Sequence, residues 1–294
     1  MATKLLAMSR KTPCPAAIVA FAVVTQPVLA ASPATLVPSS PWNVHYADDS
    51  CRLAREFGTE GEKVTLLLDQ YAPGSDFDIS ISGKPTAKLA KATGTARFGF
   101  GPELPLKEQE RLLAGTSGTK TPMIFVGRLD IFNRKTDDAG SPASAAAIAK
   151  IREFHVAKGS TGLTLQLGPM LAALKAISAC TSDLVKLWGL DPAQQANLVS
   201  RPTPVGSAGD WLRPGDYPIK SAREGEQGLI HFRLMVDAEG KPTNCNIQSA
   251  TQTPEFKALT CQLIMKRARF VPARDKSGGA VASYYVNLAL WVVA

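Results

Sequence analysis

The order of hydrophobic periods in the last part of the chain most constrains its fold. Residues 228–236, Gly-Leu-Ile-His-Phe-Arg-Leu-Met-Val, carry Ile230, Phe232, Leu234 and Val236 on one face and His231 and Arg233 on a polar face, beside Leu229 and Met235. Asp237-Ala-Glu-Gly240 then turns, and Thr243, Cys245 and Ile247 can share the inner face of a second strand. Pro254 stands at the helix position where a missing N–H costs least, and Phe256, Leu259, Leu263 and Ile264 recur at helical spacing behind it. Residues 281–293 return to an extended apolar run. A period of two, then one near 3.6, then extended chain predicts strand–strand–helix–strand. The first of these strands, with one apolar and one polar face, reads as half-buried and antiparallel.

The first thirty residues read as an address. Lys4, Arg10 and Lys11 precede an apolar stretch over 16–24, Gln26-Pro27 breaks it, and Val28-Leu29-Ala30 supplies small residues for cleavage. This three-part layout predicts a secretory signal peptide over residues 1–30, and hence a periplasmic protein. The apolar run falls short of the roughly twenty residues a bilayer needs, so no membrane span is expected once the signal is removed. Three of the 33 Lys and Arg lie in this segment and none of the 25 Asp and Glu, so the remainder carries a net charge of +5 rather than +8. Lys84, Lys88 and Lys91, and Lys266, Arg267, Arg269 and Arg274, form mild clusters that do not interleave with aromatics. Solvated faces account for them better than a nucleic-acid surface does.

Residues 41–190 are expected to form a mostly-β domain with a helical tail. Residues 63–69, 76–82, 96–100, 123–132 and 162–167 read as strands, with Phe77, Ile79 and Ile81 on one face of the second and Asp76 and Asp78 on its solvent face. Residues 103–113 suit a short helix or a charged hairpin arm, and 143–151 an alanine-rich helix. From Gly168 the period becomes helical, with Met170, Leu171, Leu174, Ile177, Leu184, Leu187 and Trp188. Four prolines and three glycines between 191 and 215 predict an interdomain linker that buries little, followed by a C-terminal domain over 216–294.

Behind the expected signal stand four cysteines, Cys51, Cys180, Cys245 and Cys261. An even count in an exported chain points to disulfides. Of the three possible pairings, Cys245 with Cys261 is nearest in sequence and lies within one domain, which leaves Cys51 with Cys180 to staple the helical tail to the β region. A metal site is the weaker reading, since no Cys-x-x-Cys occurs and no histidine sits at ligand spacing from a cysteine.

Tyr217-Pro218, the 228–236 strand, Gly240, the helix, Phe270-Val-Pro-Ala273 and the final strand together resemble the TonB C-terminal domain, and most closely its cysteine-bearing variants, over residues 215–293. The resemblance implies a small α+β domain, a helix packed on a three-stranded antiparallel sheet, in a periplasmic module that takes up an extended peptide by strand addition. The partner it implies is a protein or peptide, such as a TonB-dependent outer-membrane receptor. It makes the final strand the binding edge, with Ser283, Tyr285, Asn287, Ala289 and Trp291 on one face as candidate contact residues, packing of the sheet being the rival role for Tyr285 and Trp291. A force-transmitting member keeps an anchor and a long proline-rich spacer. Here a folded domain stands in the spacer's place.

No constellation names a chemistry. His45, His155 and His231 have no nucleophile at a recognisable spacing. Ser117-Gly-Thr-Lys120 lacks the companion motifs of a serine acyltransferase, and Gly99-Phe-Gly-Pro102 puts proline where a dinucleotide loop would open a helix. A carboxylate pair at Asp76 and Asp78 is explained by solvated alternation. The expectation is a non-enzymatic interaction protein without cofactor or catalytic residues. A membrane-anchored TonB-type energy transducer, or an enzyme within 41–190, are the alternatives.

Overall fold

The computed structural model describes residues 34–102, 106–110, 112–118, 120–132, 145–251 and 254–292. The expected signal peptide and the first part of the alanine-rich run lie outside the described residues. The chain is α+β and mostly strand, and residues 32–294 form one compact unit.

The N-terminal region is built from two sheets around one core. The first comprises β2 (Asn43–Tyr46), β3 (Cys51–Phe57), β4 (Val64–Gln70), β5 (Asp76–Ser82), β8 (Leu113–Thr116) and β9 (Pro122–Asp130), in the order β2-β3-β4-β5-β9-β8. The second comprises β1 (Ala34–Leu36), β6 (Ala96–Gly101), β7 (Lys107–Gln109), β10 (Glu153–Lys158) and β11 (Thr161–Gln166), in the order β1-β11-β10-β6-β7. Alternation decides what each contributes: Leu53, Leu66, Phe77, Ile79 and Ile81 from the first sheet meet Phe98, Phe154, Val156 and Leu165 from the second in a single buried cluster. Against β2 and β3 packs α3 (Leu171–Leu187), which buries Ile177 and Leu184, and the Cys51–Cys180 disulfide fastens it there.

Three local readings change. Lys88 and Lys91 belong to a short helix that was not expected, α1 (Thr86–Lys91), whose Thr86 and Leu89 are buried. The described part of 103–113 is extended, as β7 and the first residue of β8, and fits a hairpin arm rather than a helix. Strand β10 was not expected, although Phe154 and Val156 alternate within it. Of the alanine-rich run, α2 (Ala145–Ala149) is helical.

The C-terminal module is a three-stranded antiparallel sheet, β14 (Pro242–Ala250), β13 (Gly228–Val236) and β18 (Ser283–Trp291), ordered β14-β13-β18, with α6 (Pro254–Arg267) across one face. The four expected residues of β13, Ile230, Phe232, Leu234 and Val236, are buried beneath Phe256 and Ile264 of α6. The Cys245–Cys261 disulfide ties β14 to α6. Short strands β15 (Phe270–Val271), β16 (Ala273–Arg274) and β17 (Ala280–Val281) connect α6 to β18, and Phe270 and Ala273 bury the Phe-Val-Pro-Ala turn. Two glycines set the close approaches. A Cβ on Gly228 would stand 2.8 Å from the Phe256 ring, and Gly240 adopts φ +80° with the Phe270 carbonyl oxygen 2.0 Å from where its Cβ would be.

Residues 191–215, read as a linker with little to bury, are instead fixed to the C-terminal module. Within them α4 (Pro192–Ala196) supplies buried Gln195, which accepts from Ser283 Oγ at 2.7 Å and donates to the Ala282 carbonyl at 3.0 Å. Strand β12 (Thr203–Pro204) pairs with β15, and Trp211 is buried against Phe270 and Tyr285. Proline and glycine density marked the loss of long elements but not the anchoring, which rests on one aromatic and one amide whose partners lie 50 or more residues away.

Candidate functional site: the β18 edge and the covered sheet face

Strand β18 pairs with β13 over nine residues, Gly228 with Trp291 through Val236 with Ser283, without a register break. It pairs with no other described strand, so its far side is a sheet edge. The backbone N–H of Leu288 donates to Asn287 Oδ1 at 2.8 Å and so points away from β13. Alternation along an antiparallel strand then turns the N–H and C=O groups of Tyr284, Val286 and Leu290 to the same open side. The opposite edge, β14, has two register shifts against β13, starts with Pro242 and is tethered by a disulfide, features that discourage pairing.

The five predicted contact side chains lie elsewhere. Register places Ser283, Tyr285, Asn287, Ala289 and Trp291 opposite Val236, Leu234, Phe232, Ile230 and Gly228, on the face that meets α6. Trp291 stacks on Phe256 at 5.2 Å and donates to Thr260 Oγ1 at 2.9 Å, and Tyr285 packs against Trp211 and Phe270. Asn287 donates to Tyr285 Oη at 2.7 Å. Packing is therefore what these side chains do, while the strand itself leaves its backbone edge open.

The second face of the C-terminal sheet is covered as well. His231 and Arg233, read as a polar face, and Tyr284 beside them are 2%, 8% and 4% exposed. They are covered by the N-terminal region. Cross-strand register aligns Arg52, Asp69, Asp78 and Arg128 on adjacent strands β3, β4, β5 and β9, a row of charges running plus, minus, minus, plus across the outer face of the six-stranded sheet. Each acid is held by the arginine beside it. Arg52 bonds both oxygens of Asp69 at 2.6 and 2.9 Å, and Arg128 both oxygens of Asp78 at 3.0 and 2.9 Å. Asp78 is thus buried and paired with Arg128 rather than solvated. Despite Arg52, burial pushes the Asp69 carboxyl above its ordinary range.

Over this row sits His231. Its ring stacks on Tyr71 at 3.9 Å, and its Nδ1 lies 3.3 Å from Asp78 Oδ2 without hydrogen-bond geometry. Burial pulls the imidazole down to about 4; Asp78 opposes that shift and Arg128 adds to it. Arg233 donates to Asp49 Oδ1 at 3.0 Å and lies 4.4 Å over the Trp188 ring. Asn246 also donates to Asp49, and Gln248 bridges the carbonyls of Asp49 and Tyr71 at 3.0 and 2.8 Å.

Beside the β18 edge lies a cleft of about 770 Å³, with Tyr284 and Val286 on one wall, Asp76 and Arg128 on another and Arg201 on a third. Arg201 donates to Tyr284 Oη at 2.8 Å. The histidines do not gather: His45 is on β2, His155 on β10 bonded to Thr164, and His231 in the covered face. Ser117 and Lys120 form a tight turn joining β8 to β9. Among the described residues no group of His, Cys, Asp and Glu is placed to hold a metal, and no helix is long and apolar enough to cross a membrane.

Residues 214–289 match the family model described as Gram-negative bacterial TonB protein C-terminal. The match spans the connecting turn, the three-stranded sheet and α6, and stops inside β18. No curated protein matches the chain.

Proposed function

We propose that this chain is a periplasmic interaction protein whose TonB-type C-terminal domain binds an extended segment of an envelope protein, such as a TonB-dependent outer-membrane receptor, by adding it as a fourth strand beside β18. The observation that carries the reading is the edge itself: nine residues in unbroken register on one side and, among the described residues, no strand partner on the other. An unpaired edge presents alternate N–H and C=O groups that an extended chain satisfies, with affinity from the main chain and selectivity from the flanking walls. The binding elements are the outward backbone groups of Tyr284, Val286 and Leu290 with the carbonyl of Leu288, rather than the inward side chains of Ser283, Tyr285, Asn287, Ala289 and Trp291. Asn287 acts on the edge from within, since its Oδ1 occupies the Leu288 N–H that an incoming strand would use. The N-terminal region contributes a wall of the cleft, and the match to the TonB C-terminal family supports a binding protein rather than an enzyme.

Val286→Pro tests it. The substitution removes an outward N–H while leaving the bonds to β13 in place, as edge strands tolerate. Titration calorimetry with the extended periplasmic segments of outer-membrane receptors should show binding to the unsubstituted protein and a loss of at least about tenfold in the variant, the worth of one hydrogen bond of about 1–1.5 kcal/mol. No binding by any such segment, or equal binding by both proteins, would reject strand addition at this edge.

A further inference from the structure

The sheet-on-sheet contact between the two halves of the chain is unlike either core. The buried side-chain polar atoms without a hydrogen-bond partner among the described residues are Trp188 Nε1, His231 Nδ1, Arg233 Nε and Gln248 Oε1, and all four lie in this contact. Both hydrophobic cores are complete without it, one over residues 51–184 and the other over 211–291. A contact that is polar, incompletely satisfied and spare to both cores has the composition of a separable interdomain interface.

Within it, one group has no room for a charge. Both oxygens of Asp78 are taken by Arg128, so a proton on His231 would place a second cation against an ion pair that is already neutral, in a site sealed by Tyr71. Water is excluded from the ring, so the added charge is not solvated. We propose that this contact is a latch, and that protonation of His231 releases it, parting the C-terminal sheet from the six-stranded sheet while each half stays folded. The groups facing the ring or its surroundings are Asp78 and Asp76 on β5, Arg128 on β9, Asp69 on β4, Tyr71 after it, Asp49 before β3, and Arg233 and Tyr284 on the C-terminal sheet. Asp69 and Asp76 work in the opposite sense, because burial pushes both carboxyls up, but they are common to the variants below and cancel between them.

The sign follows from proton counting. In the closed form the imidazole titrates near 4 and in the open form near its ordinary 6.5, so between those values the open form holds more protons. Falling pH therefore favours opening, by up to about tenfold in the closed-to-open ratio for each pH unit in that window.

Small-angle scattering of the exported full-length chain, with far-UV circular dichroism alongside, tests the latch from pH 7.5 to pH 4. The radius of gyration of the unsubstituted protein should rise within that window with the ellipticity unchanged. His231→Gln should stay compact to lower pH, and Asp49→Ala, which removes the acceptor of Arg233 and Asn246 without touching either core, should open at higher pH. A constant radius throughout, the same transition in the unsubstituted protein and His231→Gln, or ellipticity lost in step with the radius, would each overturn the proposal. If His231→Gln does not fold, an unchanged transition in Asp49→Ala overturns it.

Discussion

Gly240 shows how single residues carry this fold. Asp237-Ala-Glu-Gly was legible as a turn from its composition, and the structure adds why the last position admits nothing larger. It combines φ +80° with an N–H from Phe270 to its own carbonyl at 2.9 Å, so the chain after α6 lies against the β13–β14 turn. Gly240→Ala combines a left-handed backbone with a Cβ driven into a carbonyl, and a loss of about 2–3 kcal/mol is expected, read as a lowered denaturant midpoint with unchanged slope. His231 and Asp78 mark the limit of residue-level reading. A polar residue alternating with apolar ones signals a face, and whether that face meets water or a second polar sheet is decided by residues more than a hundred positions away. The same pattern fits both, because paired charges under a polar partner look like charges in solvent. Trp211 is the reverse case: an isolated aromatic among prolines and glycines gives no period, and its burial depends on Phe270 and Tyr285.

The elements with a clean period were the most readable. Strand β5 spans the expected residues 76–82, and β13 and α6 follow their stripes, because one buried face forces a period of two or 3.6. The strands missed were short or lay among glycines and charges. Disulfides add to the elements what small sheets lack in core. Cys245–Cys261 closes 16 residues and holds the edge strand β14 to its helix. Replacing both cysteines by alanine should lower the stability of the C-terminal module by about 3 kcal/mol in the chain-entropy model, measured by urea unfolding under oxidising conditions. An unchanged midpoint would show that α6 is held by packing alone. The resemblance made the last strand an edge, and among the described strands it pairs with β13 alone, while its five candidate contact side chains turn inward; alternation defines two faces but not which one the helix will cover.

At the scale of the whole molecule, an N-terminal two-sheet region, an anchored connecting segment and a TonB-type module form one compact unit in which the module keeps one edge free and one face covered. That division follows from charge and register: the row Arg52, Asp69, Asp78, Arg128 matches a polar sheet face and no apolar one, whereas the β18 edge meets a cleft instead of a strand. The central claim is that this edge takes up a partner strand. The most direct measurement is photocrosslinking in intact cells from Leu290, which is 48% exposed on that strand, with the adducts sequenced. The account predicts adducts that map to one extended segment of an envelope protein and disappear when Val286→Pro is introduced in the same chain. Adducts that persist unchanged in that variant, or their complete absence, would contradict it.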